Sequence, residues 1–333
     1  MRQTWYSLDM EYALEKASEQ PLGNPNLGGL RDEAREYARR SKGVLTVRVY
    51  DREWRRFTAW CSENGLVALP ADPDSVSLYV TGLSRTKSVA SINVTVAAIS
   101  QAHQAAGVGS PTQTPAFRAV WRGIRRTLGV APKSQKSPAT TEVVRAMLDE
   151  LPDSLIGVRD RALILVAFAS AMRRSELVGL DCTDVRFVER GMEIAVRRSK
   201  VDQEGAGHVI AIPFGNAERT CPVRALKSWI EAAGLTDDPL FRSVDRHGRV
   251  SDGRMDGGSV GRIVKRAVER TGRNPEDFGA HSTRAGFITS AAANGASEHS
   301  IAKTSNHRSV QVLRSYIRAA CRFDDNAGSK LGL

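Results

Sequence analysis

Hydrophobic residues recur at helical spacing through most of the first half of the chain. Thr46–Gly65, Ser88–Gly107 and Pro115–Gly129 each predict a helix, because their apolar positions fall on one stripe. Thr46 is a suitable N-cap, and Pro115 and Gly129 have the residue types that begin and end helices. The stripe of the first helix contains Val49, Trp54 or Phe57, Trp60 and Cys61. Residues 30–130 are therefore expected to form a helical domain.

The chain before and after this domain has a different pattern. Residues 1–29 contain a stretch rich in Gly, Pro and Asn, which predicts a flexible tail. Residues 131–139 are polar and contain two prolines, which is typical of a linker between domains. Residues 140–333 are then expected to form a second domain.

Period-two alternation interrupts the helical pattern of this second domain. Met192, Ile194 and Val196 alternate with other residues, and a similar alternation runs through 209–213. This predicts an antiparallel sheet of two or three strands, with Lys200 at or beside a turn, and helices from there to the end. The expected fold class is mainly α: a helical first domain, and a mostly helical second domain with a small antiparallel β-sheet.

The composition points to an anionic partner. The 333 residues carry a formal net charge of +11, with a pI of about 9.8. Such a balance favours nucleic acid first and an acidic membrane surface second. The sequence has no apolar run of about 18 residues, no secretory signal and no lipidation motif. We therefore expect no membrane partner and a cytoplasmic, DNA-associated protein.

Basic residues concentrate at helical spacing in the first domain. One helix face on its own is usually just solvated, but solubility alone would mix the signs of charge, whereas these faces are almost purely positive. They predict contacts with DNA phosphates. Residues just before the second helix would provide further phosphate contacts, near the positive N-terminus of that helix. The candidate DNA-binding residues are Arg48, Arg52 and Arg55 on the first helix, Arg85, Lys87 and Ser88 before the second, and Arg118, Arg122, Arg125 and Arg126 on the third.

Cysteine spacing and glycine content give no sign of a cofactor. The four cysteines are scattered, no two form a CxxC pair, and no Cys/His cluster has metal-ligand spacing. The stretch "GAGH" lacks the strand-to-helix context and the remaining glycines of a nucleotide fingerprint. Neither a metal nor a cofactor is expected.

Four stretches of the second domain contain residues suited to phosphate chemistry. They are "AMRRSELVGL" with Arg173, "RRSKVDQ" with Lys200, "HSTRAGFIT" with His281 and Arg284, and "SNHRSVQVLRSYIR" with His307 and Tyr316. Each has an ordinary structural explanation when taken alone: Arg173 as an ion-pair partner of Glu176, or Tyr316 as a half-buried packing residue. Their order and spacing together are far more specific.

In that order the motifs resemble the tyrosine recombinase family, which includes phage integrases and Xer-like or Cre-like recombinases. The family has an arginine followed by S-E-L, a hairpin lysine, H-x-x-R, a histidine or tryptophan, and a tyrosine nine residues later. The resemblance covers about Thr140–Leu333, and the first domain is similar on less specific grounds. Ala171-Met172 stands for a common Gly-Leu, Thr283 for a Leu, and Asn306 for a Gly. Because Asn tolerates a left-handed backbone, a tight turn at Asn306 remains possible.

The resemblance implies a chemistry for each matched residue. Arginines would hold the non-bridging oxygens of a scissile phosphate, and a tyrosine would form a 3′-phosphotyrosine intermediate. The implied roles are Tyr316 as nucleophile, His281 as base, Lys200 as general acid, Arg173 and Arg284 as the phosphate clamp, and His307 as a further hydrogen-bond donor. Nine residues span about two and a half helical turns, so His307 is expected in the turn before the helix of Tyr316.

The implied function is site-specific recombination of double-stranded DNA. Four protomers would act on two sites through a Holliday junction, with a monomer as one form free in solution. A type IB topoisomerase, which relaxes DNA as a monomer, uses the same chemistry. A DNA-binding or architectural protein without catalysis is the other alternative, but the six intact residues argue against it.

Overall fold

The computed structural model describes most of the chain after residue 42. The described residues are 29–30, 33–34, 36–37, 43–131, 136–197, 207–237, 239–307, 311, 313–314, 316–317 and 331. The chain divides into two compact units, Met1–Lys133 and Ser134–Leu333. This division falls within the predicted linker 131–139. Of the predicted tail 1–29, residues 1–28 lie outside the described part, and the described residues between 29 and 37 are helical.

The described part of the first unit contains four long helices. They are α1 (Val44–Glu63), α2 (Pro73–Ser84), α3 (Val89–Ala105) and α4 (Pro115–Leu128). Their buried stripes meet in one core that includes Trp54, Phe57, Ile92 and Phe117. The predicted helices correspond to α1, α3 and α4, whereas the sequence analysis did not specify α2.

The predicted limits of these helices are right in most cases. Ser88 caps α3, Pro115 is the first residue of α4, and Gly129 ends α4 with a φ of 72°. The N-cap predicted for α1 is wrong. Gly43 is the cap, and the Thr46 amide donates to the Gly43 carbonyl at 2.9 Å, so Thr46 lies inside the first turn.

The second unit combines seven α-helices with two small sheets in its described part. The helices are α5 (Thr141–Asp149), α6 (Leu155–Ser170), α7 (Arg174–Gly179), α8 (Pro222–Ala232), α9 (Gly257–Arg270), α10 (Ser282–Ala293) and α11 (Glu298–Ser305). The strands are β1 (Val185–Val188), β2 (Gly191–Val196), β3 (His208–Pro213), β4 (Arg242–Val244) and β5 (Val250–Arg254). Helix α6 is buried around most of its surface and packs against α8 and α10.

The larger sheet is antiparallel, as predicted, and has three strands in the order β1-β2-β3. Ile194 pairs with Ile210 and Met192 with Ile212, which places alternate apolar side chains of β2 and β3 in the core. Lys200 lies between these strands, in residues 198–206 outside the described part. The expectation of helices alone after this sheet is wrong, because β4 and β5 form a second hairpin. Its strands are short and contain no buried residue, so they have no apolar alternation by which to recognise them.

Candidate active site and basic surfaces

Arg173 stands at the start of α7 and is held by a buried carboxylate. Its backbone amide donates to Glu176 Oε2 at 2.9 Å, and its Nη1 donates to Glu176 Oε1 at 2.7 Å. Only 4% of the Glu176 side chain and 16% of the Arg173 side chain are exposed. The ion pair predicted as the ordinary structural alternative therefore exists. It fixes the guanidinium while leaving further N–H groups for a ligand.

The left-handed turn that precedes Arg173 accepts a hydrogen bond from the second arginine, Arg284. Ala171 ends α6 with φ 52° and ψ 24°, and its carbonyl accepts a hydrogen bond from Arg284 Nη1 at 2.6 Å. Burial, with the positive charge of Arg173 adding to it, lowers the pKa of Arg284 to about 10. Arg284 thus keeps its charge at neutral pH, and the guanidinium groups of Arg173 and Arg284 share one site that is partly shielded from water.

His307 completes this cluster from the turn after α11. Arg284 Nη2 lies 3.0 Å from His307 Nδ1 and 3.1 Å from Nε2. Ser305 Oγ donates to the Ile301 carbonyl at 2.6 Å and lies 2.7 Å from His307 Nδ1. Because the Ser305 proton is already used, a consistent tautomer has Nδ1–H donating to Ser305 and Nε2 accepting from Arg284. Burial first, then Arg284 and Arg173, lower the pKa of His307 to about 4, so the ring is neutral at pH 7.

The turn before His307 has the predicted conformation. Asn306 has φ 48° and ψ 52°, a left-handed backbone, and it ends α11. Its side-chain Nδ2 lies 3.3 Å from Nδ1 and 3.4 Å from Nε2 of His208, the first residue of β3. The strand that follows the Lys200 hairpin therefore contacts the turn that carries His307.

Tyr316 belongs to helical residues between 311 and 317. Leu313 from this segment is fully buried against Ile288 and Ile301, and Tyr316 packs partly buried on the same cluster. Tyr316 is among the residues that act electrostatically on the Arg284 guanidinium, so the tyrosine lies within electrostatic reach of it. His307 lies before this helix, as the nine-residue spacing predicts.

The structure brings three of the six predicted catalytic residues into one cluster, Arg173, Arg284 and His307, and Tyr316 lies within electrostatic reach of it. His281 is the N-cap of α10, three residues before Arg284, with an exposed side chain. Lys200 lies outside the described residues. No local pattern in the sequence predicts Ser305 or His208 as neighbours of this site, and Glu176 was expected only as a structural partner. A carboxylate three residues after Arg173 was the available signal for Glu176.

The predicted DNA-binding residues fall on two surfaces of the first unit. Arg118, Arg122, Arg125 and Arg126 are exposed on α4, and they form no ion pair with any residue that the structure describes. The face of α1 is less purely positive than predicted, because carboxylates accompany the arginines. Arg55 pairs with Asp51, and Arg52 pairs with Glu53 at 2.9 Å. Arg48, Arg85 and Lys87 are exposed, and the Ser88 hydroxyl accepts from the Ser91 amide as the cap of α3.

Two general findings bear on the class of protein. No helix within the described ranges is both long and apolar enough to cross a membrane. Among the same residues, no group of His, Cys, Asp and Glu side chains is arranged to hold a metal ion.

Comparison with known proteins places this cluster in a family. Residues 139–322 match the phage integrase family. The chain is 34% identical over 302 residues to an integrase/recombinase XerD homolog of Selenomonas ruminantium, covering 90% of this chain and 88% of the relative. It is 24% identical over 299 residues to the recombinase Cre of Escherichia phage P1, covering 84% of each.

Solved structures agree at the level of fold. A XerH site-specific recombinase bound to a palindromic difH substrate, in a post-cleavage complex, aligns with a TM-score of 0.62 at 17% identity, covering 98% of this chain and 94% of that one. A lambda integrase dimer bound to a COC' core site aligns with a TM-score of 0.56 at 15% identity, covering 86% and 75%. With the family match over more than half of its length, the chain belongs to the phage integrase family of tyrosine recombinases, enzymes of site-specific recombination that break and rejoin DNA.

Proposed function

We propose that this protein recombines double-stranded DNA sites through a covalent 3′-phosphotyrosine intermediate formed by Tyr316. The observation that carries the proposal is the cluster of Arg173, Arg284 and His307 within reach of that tyrosine. The guanidinium groups offer planar, permanently charged donors to the two non-bridging oxygens of a phosphodiester. Their charge favours the transition state, in which negative charge on these oxygens increases.

The proposed step conserves the energy of the phosphodiester bond. Tyr316 Oη attacks phosphorus, and the P–O5′ bond breaks as the Oη–P bond forms. The phenol proton passes to His281, and the departing 5′ oxygen receives a proton from Lys200. A phenol has a pKa of about 10, so it needs a base or a positive environment to become a nucleophile at neutral pH. The neutral His307 ring accepts from Arg284 through Nε2 and so helps to hold that guanidinium beside the phosphate.

The assembly that follows is a homotetramer on two DNA sites, exchanging strands in pairs through a Holliday junction. A 5′ hydroxyl from the partner site attacks the phosphotyrosine and reverses the first step with a new strand. The DNA-bound recombinases of the same fold support duplex sites as the partner. Arg48, Arg85 and the four arginines of α4 are proposed as backbone contacts, since phosphates supply most of the affinity of such complexes.

The test is covalent trapping on a nicked suicide substrate, built on a duplex that the protein itself selects from a random library. Wild-type protein should give a protein–DNA adduct that survives denaturation, and Tyr316→Phe should give none while binding the duplex with nearly unchanged affinity. Tyr50→Phe, a tyrosine of the first unit, serves as the control and should still form the adduct. An adduct with the Tyr316→Phe protein would overturn the assignment of the nucleophile.

A further inference from the structure

Glu53 is a nearly buried carboxylate in the first unit to which the proposed chemistry assigns no role. Its Oε1 accepts from Arg52 Nε at 3.0 Å and from Arg56 Nη1 at 3.0 Å, both on α1. Its Oε2 accepts from Thr95 Oγ1 of α3 at 3.1 Å. A charge that has lost its water must be paired and hydrogen-bonded, and here both oxygens are. Glu53 is thereby fixed between two helices.

The two arginines that Glu53 holds remain open to a ligand. The Glu53 side chain is 12% exposed, whereas Arg52 and Arg56 are 58% and 55% exposed. Each guanidinium uses one edge on Glu53 and keeps other N–H groups toward the outside. They stand one helical turn apart, so they form a short row of fixed donors.

This row lines a groove between α1, α2 and α3 with a volume of about 640 Å³. Lys87 and Ser91, at the start of α3, line the same groove, and Trp60, Tyr79 and Leu83 contribute apolar surface to it. The helix N-terminus adds partial positive charge near Lys87. Burial, with the negative charge of Glu53 adding to it, raises the pKa of Tyr79 to about 12, so the phenol stays neutral. The groove thus presents cationic donors from two elements, Arg52 and Arg56 on α1 and Lys87 just before α3.

We infer that Glu53 is a positioning residue, which orients Arg52 and Arg56 so that this groove, with Lys87, binds phosphates of the duplex DNA backbone. The inference rests on the proposed function and adds to it a binding surface with Arg56, which the sequence analysis did not select. The physical reason is preorganisation: an arginine already held by a fixed carboxylate loses less conformational freedom when it binds. The ion pairs with Glu53 reduce the net charge of the two arginines but fix the orientation of their guanidinium groups.

The direction in which one substitution changes the DNA affinity distinguishes positioning of the arginines from simple repulsion of phosphates. Glu53→Gln removes a negative charge and nearly preserves shape. If Glu53 only repelled phosphates, this change would tighten DNA binding. If it positions the arginines, the change weakens binding, because both guanidinium groups lose their charge-assisted partner.

A control of equal charge is available in the same groove. Glu63 lines it, is exposed, and pairs with no cation among the residues that the structure describes. Glu63→Gln changes the charge by the same amount without releasing an arginine, so we expect equal or tighter binding. Thr95→Val loosens Glu53 without changing any charge, and we expect it to weaken binding in the same direction as Glu53→Gln. This second variant carries the test if Glu53→Gln fails to fold.

The measurement is fluorescence anisotropy of the full-length protein on a labelled, mixed-sequence DNA duplex over a series of KCl concentrations. We expect Glu53→Gln to lower the affinity on the order of tenfold and to give a shallower salt slope. In an Arg52→Gln/Arg56→Gln background, adding Glu53→Gln should have no further effect. The inference would be refuted if Glu53→Gln bound DNA as tightly as wild type. It would also be refuted if Glu53→Gln lowered the affinity by the same factor in the Arg52→Gln/Arg56→Gln background.

The same data distinguish this inference from the proposed function. If wild-type protein forms the Tyr316 adduct and binds DNA but Glu53→Gln behaves like Glu63→Gln, only the role of Glu53 is wrong. If wild-type protein neither binds duplex DNA nor forms the adduct, the proposed function fails first.

Discussion

Two residues with left-handed backbone conformation set the geometry of the proposed catalytic cluster. Ala171 and Asn306 are the non-glycine residues with positive φ in the described part of the chain. Ala171 turns its carbonyl to Arg284, and Asn306 reverses the chain so that His307 meets the same guanidinium. A left-handed residue other than Gly costs about 1–2 kcal/mol, least for Asn, whose short polar side chain compensates locally. Such strain supports the proposal that this is a functional site, where the position of the side chains matters more than stability.

Substitutions at Asn306 should separate the turn from its side chain. Asn306→Gly keeps the left-handed turn and removes only the side chain that meets His208, so we expect covalent trapping within a few-fold of wild type. Asn306→Val should lower stability by about 1–2 kcal/mol and reduce trapping at least tenfold, because a β-branched residue resists positive φ. Thermal denaturation and single-turnover trapping measure the two effects. Equal activity of the Val and Gly variants would show that His307 does not depend on this turn.

Helix α10 holds the cluster together at the level of elements. It carries His281 and Arg284 at its start, and its apolar face packs on Leu313 of the Tyr316 segment. Its other side meets the end of the linker: the Ala139 amide donates to the Ser282 carbonyl at 2.9 Å, and the Thr141 amide to Ser290 Oγ at 3.0 Å. The backbone approaches most closely at Gly286, where an added Cβ would lie 1.8 Å from the Ala139 carbonyl oxygen.

Gly286→Ala should therefore displace α10 from the linker backbone. We expect a loss of about 1–3 kcal/mol in stability and a larger loss of trapping, since rigid backbone atoms cannot give way. Gly261→Ala in α9 is the matched control, because its Cβ would meet atoms no closer than 3.7 Å. That variant should be neutral, or more stable by up to about 1 kcal/mol. Chemical denaturation of both full-length variants compares them, and a Gly286→Ala protein as stable as Gly261→Ala would contradict the close packing.

At the scale of the whole molecule, the chain has a net charge of +11, and the basic residues of the first unit lie on two surfaces. One is the groove between α1, α2 and α3. The other is α4, which packs chiefly on α2 and whose four arginines are exposed. The α4 arginines have no carboxylate partner among the described residues, whereas Arg52 and Arg55 do. Charge alone therefore does not indicate which surface contacts DNA.

The salt dependence of DNA binding measures the contribution of α4. Arg118→Gln/Arg122→Gln should weaken binding and reduce the slope of log affinity against log salt by about 0.9 for each DNA phosphate that the variant no longer neutralises. The charge-matched control is Arg186→Gln/Arg190→Gln near the β1–β2 turn, at the end of the sheet opposite the Lys200 hairpin. We expect a nearly unchanged slope for that control. An α4 variant with the same slope as the control would mean that α4 does not face DNA.

Local patterns were enough to predict much of this architecture. The apolar stripes of α1, α3 and α4 and the alternation in β2 and β3 predicted those elements, because burial on one face leaves a period in the sequence. The strands β4 and β5 were missed since neither contains a buried residue. The N-cap of α1 was displaced by three residues, because a suitable residue type does not reveal which backbone group accepts the first hydrogen bond.

The amino-acid sequence by itself determined the reactive groups, their order along the chain and the basic character of the first unit. Only the tertiary structure decided which of these groups meet. Arg284 reaches the carbonyl of Ala171 across 113 positions, and Glu53 reaches Thr95 across 42. Such contacts depend on how separate elements pack, and no local periodicity records them. The same packing orients the exposed Arg52 and Arg56 through Glu53. It also keeps the His307 ring neutral between Ser305 and Arg284.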